Sequence, residues 1–159
     1  MDPARDDGER REAQIGSGQK LPLAGKVFIS VKDRDKLAAL ELGRHFERMG
    51  FGIVTTHGTG EWFSRHGIPN RVVNKVSMGR PHVVDAIKNG DIQLVVNTGF
   101  GNQTKRDGYY LRRAALKYAV PYTTTLAGAI AIARGIESLK TKTLDVTPVQ
   151  EYYEKGFSR

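Results

Sequence analysis

Thr55-Thr56-His57-Gly58-Thr59-Gly60 follows directly on the apolar run Phe51-Gly52-Ile53-Val54. Hydroxyls, an imidazole and two glycines at a strand end, just ahead of a helix, offer side-chain donors and backbone N–H groups to a phosphate. Asn74-Lys75 and Asn97-Thr98-Gly99 close two further apolar runs in the same way. Lys36 opens a helical pattern near the end of the first apolar run. A phosphate monoester carries about −1.5 to −2 charges at neutral pH and several acceptor oxygens. Cations, hydroxyls and N–H groups from successive strand ends would meet that demand in one crevice. The expected effector-binding set is Lys36, Thr56, His57, Gly58, Thr59, Lys75, Asn97 and Thr98, with the N–H groups of Gly58 to Gly60 turned into the crevice. Each has a plainer use alone: a strand-end threonine caps helices, and a single lysine is usually solvated. Their recurrence at strand ends is what favours a shared ligand.

No catalytic residue, cofactor or metal site is expected. His57 has no Asp or Ser placed to complete a triad, and His45 falls mid-helix, on the surface. His82 with Asp85 fits a helix cap as well as a functional pair. No histidine spacing suits zinc, and there is no Walker-type loop. The chain has no cysteine, which excludes disulfides and thiolate sites and fits a reducing cytosol, hence a cytoplasmic expectation. A net charge of +8 asks for an anionic partner. Basic residues are spread among acids without an aromatic–basic motif, so nucleic acid is not expected. No apolar run approaches the roughly 20 residues that span a bilayer, so no membrane partner is expected either.

The 159 residues suffice for one domain. Residues 1–24 read as a flexible segment, 25–140 as the folded domain and 141–159 as an extension. Apolar β-branched runs predict strands over 27–31, 51–55, 71–74, 92–96 and 120–123. Between them, helices are predicted from Asp33 or Asp35 to Met49, and over 61–66, 82–88, 107–118 and 126–136. Residues 76–81 and 99–102 are read as loops. Such alternation implies a single Rossmann-like α/β domain. Its sheet would be parallel, about five-stranded, with helices on both faces and its crevice at the strands' carboxyl ends.

The ordered set Phe28-Ile29-Ser30-Val31, Asp35-Lys36, Thr56-His57-Gly58-Thr59 and Val73-Asn74-Lys75-Val76 resembles a known family. Gly79-Arg80-Pro81-His82, Ile87-Lys88-Asn89-Gly90, Asn97-Thr98, Tyr122, Thr124-Thr125-Leu126 and Val149-Gln150-Glu151 continue the match. The family is the carboxyl-terminal, methylglyoxal-synthase-like domain of the carbamoyl phosphate synthetase large subunit. The resemblance implies a non-catalytic allosteric domain that binds a nucleotide such as uridine or inosine monophosphate. It implies contacts from Lys36, Thr56, Thr59, Lys75 and Asn97; a further family threonine is Gly99 here, with Thr98 beside it. It also implies partners, namely the synthetase domains of the same subunit and a glutaminase small subunit, and self-association as in some relatives. The full enzyme makes carbamoyl phosphate from bicarbonate, glutamine-derived ammonia and ATP for pyrimidine and arginine synthesis. The family's acid beside the tyrosine is Thr123 here, so an ornithine site is not expected. Methylglyoxal synthase, acting on dihydroxyacetone phosphate, shares the fold. It delivers a carboxylate base from a Gly-Gly-Asp loop, where this chain has Gly79-Arg80-Pro81.

Overall fold

The computed structural model describes residues 21–99 and 102–154, without the side chains of 102–105 and 143–154. Its strands are β1 (Lys26–Ser30), β2 (Gly52–Thr55), β3 (Arg71–Val72), β4 (Leu94–Asn97) and β5 (Tyr122–Thr123). They pair in parallel, in the order β3-β2-β1-β4-β5. Five helices connect and follow them among the described residues: α1 (Lys36–Arg48), α2 (His57–Arg65), α3 (Val83–Lys88), α4 (Asn102–Lys117) and α5 (Leu126–Glu154). Tight 3-10 turns stand at Asp33–Asp35 and Val76–Met78.

Side chains alternate across a strand, so a central strand must bury both faces. Val27 and Ile29 of β1, with Leu94 and Val96 of β4, pack against Leu42 and Phe46 of α1, Phe63 of α2 and Ile132 of α5. Phe28 and Val95 turn to the other face, against Val83 and Ile87 of α3 and Leu111 and Ala115 of α4. One doubly covered sheet results, the architecture expected.

Several boundaries differ from expectation, each for a local reason. Helix α2 begins at His57 rather than at residue 61, because extended Thr56 starts it and the Gly60 N–H reaches the Thr56 carbonyl at 2.7 Å. Two glycines in that first turn hide its helical character, since glycine has weak helix propensity. Strand β3 is two exposed residues at the sheet's edge, shorter than the four expected. Asp33–Asp35 forms a 3-10 turn before α1, and Asp35 makes no side-chain cap bond. Helix α4 starts at Asn102, not at residue 107, and the expected 76–81 loop holds the second 3-10 turn. Helix α5 runs from Leu126 to Glu154, well past residue 136, with no change of element at 140. His45 lies mid-helix as expected and meets Glu137 of α5 at 2.9 Å. Residues 1–20 of the expected flexible segment, Phe100-Gly101 of the expected 99–102 loop and residues 155–159 lie outside the described residues. Among the described residues no helix is long and apolar enough to cross a membrane.

Candidate functional site

Strand order reverses at β1: β2 and β3 lie to one side, β4 and β5 to the other. Chains leaving β1 and β4 diverge there, which is where an open parallel sheet binds ligands. A cavity of about 430 Å³ occupies this point. It is floored by Phe28, Val76, Val83 and Leu111 and bordered by polar groups from five segments.

Six of the eight expected residues line it: Lys36, Thr56, Gly58, Thr59, Lys75 and Asn97. Lys36 is the first residue of α1, and its carbonyl accepts the Trp62 indole N–H at 2.8 Å, which ties α1 to α2. Its Nζ lies 3.0 Å from the Asp33 carboxylate, a side chain 97% exposed. Such an exposed pair is weak and is readily exchanged for a ligand's anion. A Cβ built on Gly58 would lie 3.8 Å from Lys36 Nζ, so the ammonium stands directly beside the start of α2. There the N–H groups of His57, Gly58 and Thr59 have no acceptor within the helix, whereas that of Gly60 is used on Thr56. The expectation that Gly60 offers its N–H to the crevice is therefore corrected. Thr56 Oγ1 lies 3.1 Å from Ser30 Oγ, joining the ends of β1 and β2. Lys75 enters from the residue before the second 3-10 turn. Asn97 ends β4; its amide donates to the Tyr122 hydroxyl at 3.4 Å, and its carbonyl oxygen accepts the Gly99 N–H at 3.4 Å.

Two expected residues do not line the cavity. Thr98 is 1% exposed, and its hydroxyl accepts the Lys32 N–H at 3.2 Å, so it binds the scaffold. His57 is exposed, with Nε2 3.3 Å from Asn74 Oδ1. Thr59 has a double part, since its buried hydroxyl accepts the Val31 N–H at 3.1 Å while it borders the cavity.

Sequence reading missed Ser30, Lys32, Asp33 and Asp107, all on the cavity wall. Ser30 and Lys32 follow from the rule that residues closing the first strand face the crevice. Asp107 had no such signal, because it comes from the first half of α4 and is held by a 3.0 Å bond from Ser77 Oγ. Its carboxylate suits ligand hydroxyls rather than phosphate.

The 78–82 loop is committed to structure. His82 and Asp85 form a reciprocal cap at the start of α3, and Arg80 Nη2 meets Asp85 Oδ1 at 2.6 Å. The Arg80 hydrogen bond, then that from the His82 backbone N–H, holds the Asp85 carboxyl below its ordinary range. Its partnership with Asp85 raises the Arg80 guanidinium in turn. No group of three or more His, Asp or Glu side chains able to hold a metal stands among the described residues.

A family model described as "MGS-like domain" matches residues 38–124. The chain belongs to the MGS-like domain family. Thr56, Thr59, Lys75 and Asn97 fall inside the matched span, and Lys36 stands two residues before it. This MGS-like domain is 47% identical to the carbamoyl phosphate synthase large chain, C-terminal section, of Aquifex aeolicus, covering 89% of this chain and 27% of that one. It is 44% identical to the carbamoyl phosphate synthase large chain of Archaeoglobus fulgidus, over 91% of this chain and 14% of that relative. It is likewise 44% identical to the arginine-specific large chain, chloroplastic, of Oryza sativa, over 92% of this chain and 13% of that one. The chain thus spans about a quarter or less of the length of these curated relatives.

Proposed function

We propose that this MGS-like domain is the nucleotide-monophosphate-binding regulatory part of a carbamoyl phosphate synthase large chain. One observation carries the reading. Two lysines, Lys36 and Lys75, share a cavity with the Ser30–Thr56 hydroxyl pair and the N-terminal turn of α2. Phosphate sits among these groups, while Asp107 accepts ribose hydroxyls and Val76, Val83 and Leu111 cover the base. The likeness to named large chains supports the setting. In the full chain this domain would adjoin the synthetase domains and, through them, the glutaminase subunit. The assembly would join bicarbonate, ammonia from glutamine and ATP into carbamoyl phosphate for pyrimidine and arginine synthesis. A nucleotide regulates it by binding unequally to two arrangements of the domain against that core. The domain itself does no chemistry: the loop position where methylglyoxal synthase delivers its base holds Pro81, and Arg80 beside it is bound to Asp85.

Thermal-shift screening of the chain with uridine, inosine and adenosine monophosphates tests the proposal. A ligand that binds only the folded form raises the melting temperature. At least one nucleotide raises it, and the matching nucleoside raises it less. No shift with any of the three, or conversion of dihydroxyacetone phosphate to methylglyoxal by the purified chain, would overturn the reading.

A further inference from the structure

A second concavity, of about 560 Å³, lies between α3 and α4, beside the strand-end cavity, with which it shares Val76 and no other described lining residue. Arg80, Lys88, Arg113 and Lys117 border it. Its one carboxylate among the described residues, Asp85, is engaged by Arg80 at 2.6 Å and by the His82 N–H at 2.8 Å. Among the described residues no carboxylate pairs with Lys88, Arg113 or Lys117. Arg113 and Lys117 lie instead over the rings of Tyr109 and Tyr118, at 5.7 and 5.4 Å from the ring centres. Such packing steadies the two side chains without cancelling their charge. A concave surface lined by one sign of charge focuses its potential into the groove. The volume falls in the range of small-molecule sites. Tyr110 and Tyr118 also line it.

We propose that the α3–α4 groove is a second anion site, separate from the strand-end cavity, for a small multiply charged anion of the phosphate-ester or pyrophosphate class. Lys88, Arg113 and Lys117 supply the charge, and Arg80 stays with Asp85.

Calorimetric titration with inorganic pyrophosphate at fixed ionic strength tests this on the full chain carrying Lys75→Ala, which weakens the strand-end cavity. Pyrophosphate binding persists in that variant. Adding Arg113→Ala and Lys117→Ala weakens the remaining binding at least tenfold, whereas adding Arg113→Lys and Lys117→Arg keeps it within threefold. Equal binding with and without the alanine pair, or no binding by Lys75→Ala alone, would overturn the proposal. So would a hexaglutamate peptide that occupies the groove and is not displaced by pyrophosphate, since the site would then belong to an acidic polypeptide.

Discussion

The backbone N–H of Lys32 donates to the hydroxyl of Thr98 across 3.2 Å, tying the exit of β1 to the exit of β4. The Thr98 N–H returns a 2.9 Å bond to the Ser30 carbonyl, so the two strand ends are stitched twice. Of the residues in this seam, Ser30 and Lys32 border the cavity between the two diverging chains. Thr98→Val keeps the shape and removes the acceptor, leaving the Lys32 N–H without its partner. A loss of about 1–3 kcal/mol in unfolding free energy is expected. Urea denaturation measures it. Since Thr98 does not border the cavity, nucleotide affinity should change less than in Lys75→Ala.

Lys75 borders the cavity from the turn between β3 and α3. A charge-assisted hydrogen bond contributes about 1.5–3 kcal/mol. Lys75→Ala should therefore weaken uridine monophosphate binding about tenfold to a hundredfold, with little change in melting temperature. Calorimetric titration gives both the affinity and the stoichiometry. Unchanged affinity removes Lys75 from the site.

Gly60 is a packing glycine. A Cβ there would meet Thr55 Oγ1 at 2.5 Å, Val72 Cγ2 at 2.6 Å and Asn70 Oδ1 at 2.9 Å. Gly60→Ala must displace α2 or the Thr55, Val72 and Asn70 side chains packed against it, and should destabilise the fold by about 1–3 kcal/mol. By contrast, the only atom of the described residues within 4 Å of a Cβ on Gly58 is Lys36 Nζ at 3.8 Å, so Gly58→Ala should fold normally. Thermal melts of the two variants should differ accordingly; equal melting temperatures would contradict this packing.

Asp85 carries a pH prediction. Its folded-state carboxyl titrates below its unfolded value, chiefly through the Arg80 hydrogen bond. The stability it adds is present above roughly pH 4 and is lost as pH falls through the lower folded value. Asp85→Asn should thus be less stable than the parent at neutral pH, and the gap should close in acid. Denaturation midpoints from about pH 7 to about pH 3 measure this, and a gap independent of pH would refute the pairing.

The strands and their crevice were legible because buried parallel strands read as continuous apolar runs, as Val27-Phe28-Ile29 and Leu94-Val95-Val96 do. Lys36, Thr56 and Asn97 followed, since each stands at or beside a strand end. What stayed hidden depends on contacts between distant segments. Thr98, buried like Thr56, spends its hydroxyl on the Lys32 N–H and does not border the cavity, and Asp107 of α4 borders it while held by Ser77 from a segment thirty residues earlier. The basic–aromatic face of α4 was missed for a related reason. Arg113 meets Tyr109, and Arg106 meets Tyr110, one helical turn apart rather than side by side in the chain. A helical spacing of four brings such pairs together.

The most direct measurement compares uridine monophosphate with uridine, in the parent and in Lys36→Ala/Lys75→Ala. If those two ammonium groups hold the phosphate, the parent prefers the nucleotide at least a hundredfold, and the double variant binds the two ligands within about tenfold of each other. A double variant that still prefers the nucleotide as strongly as the parent would contradict the account, because the phosphate would then be held elsewhere.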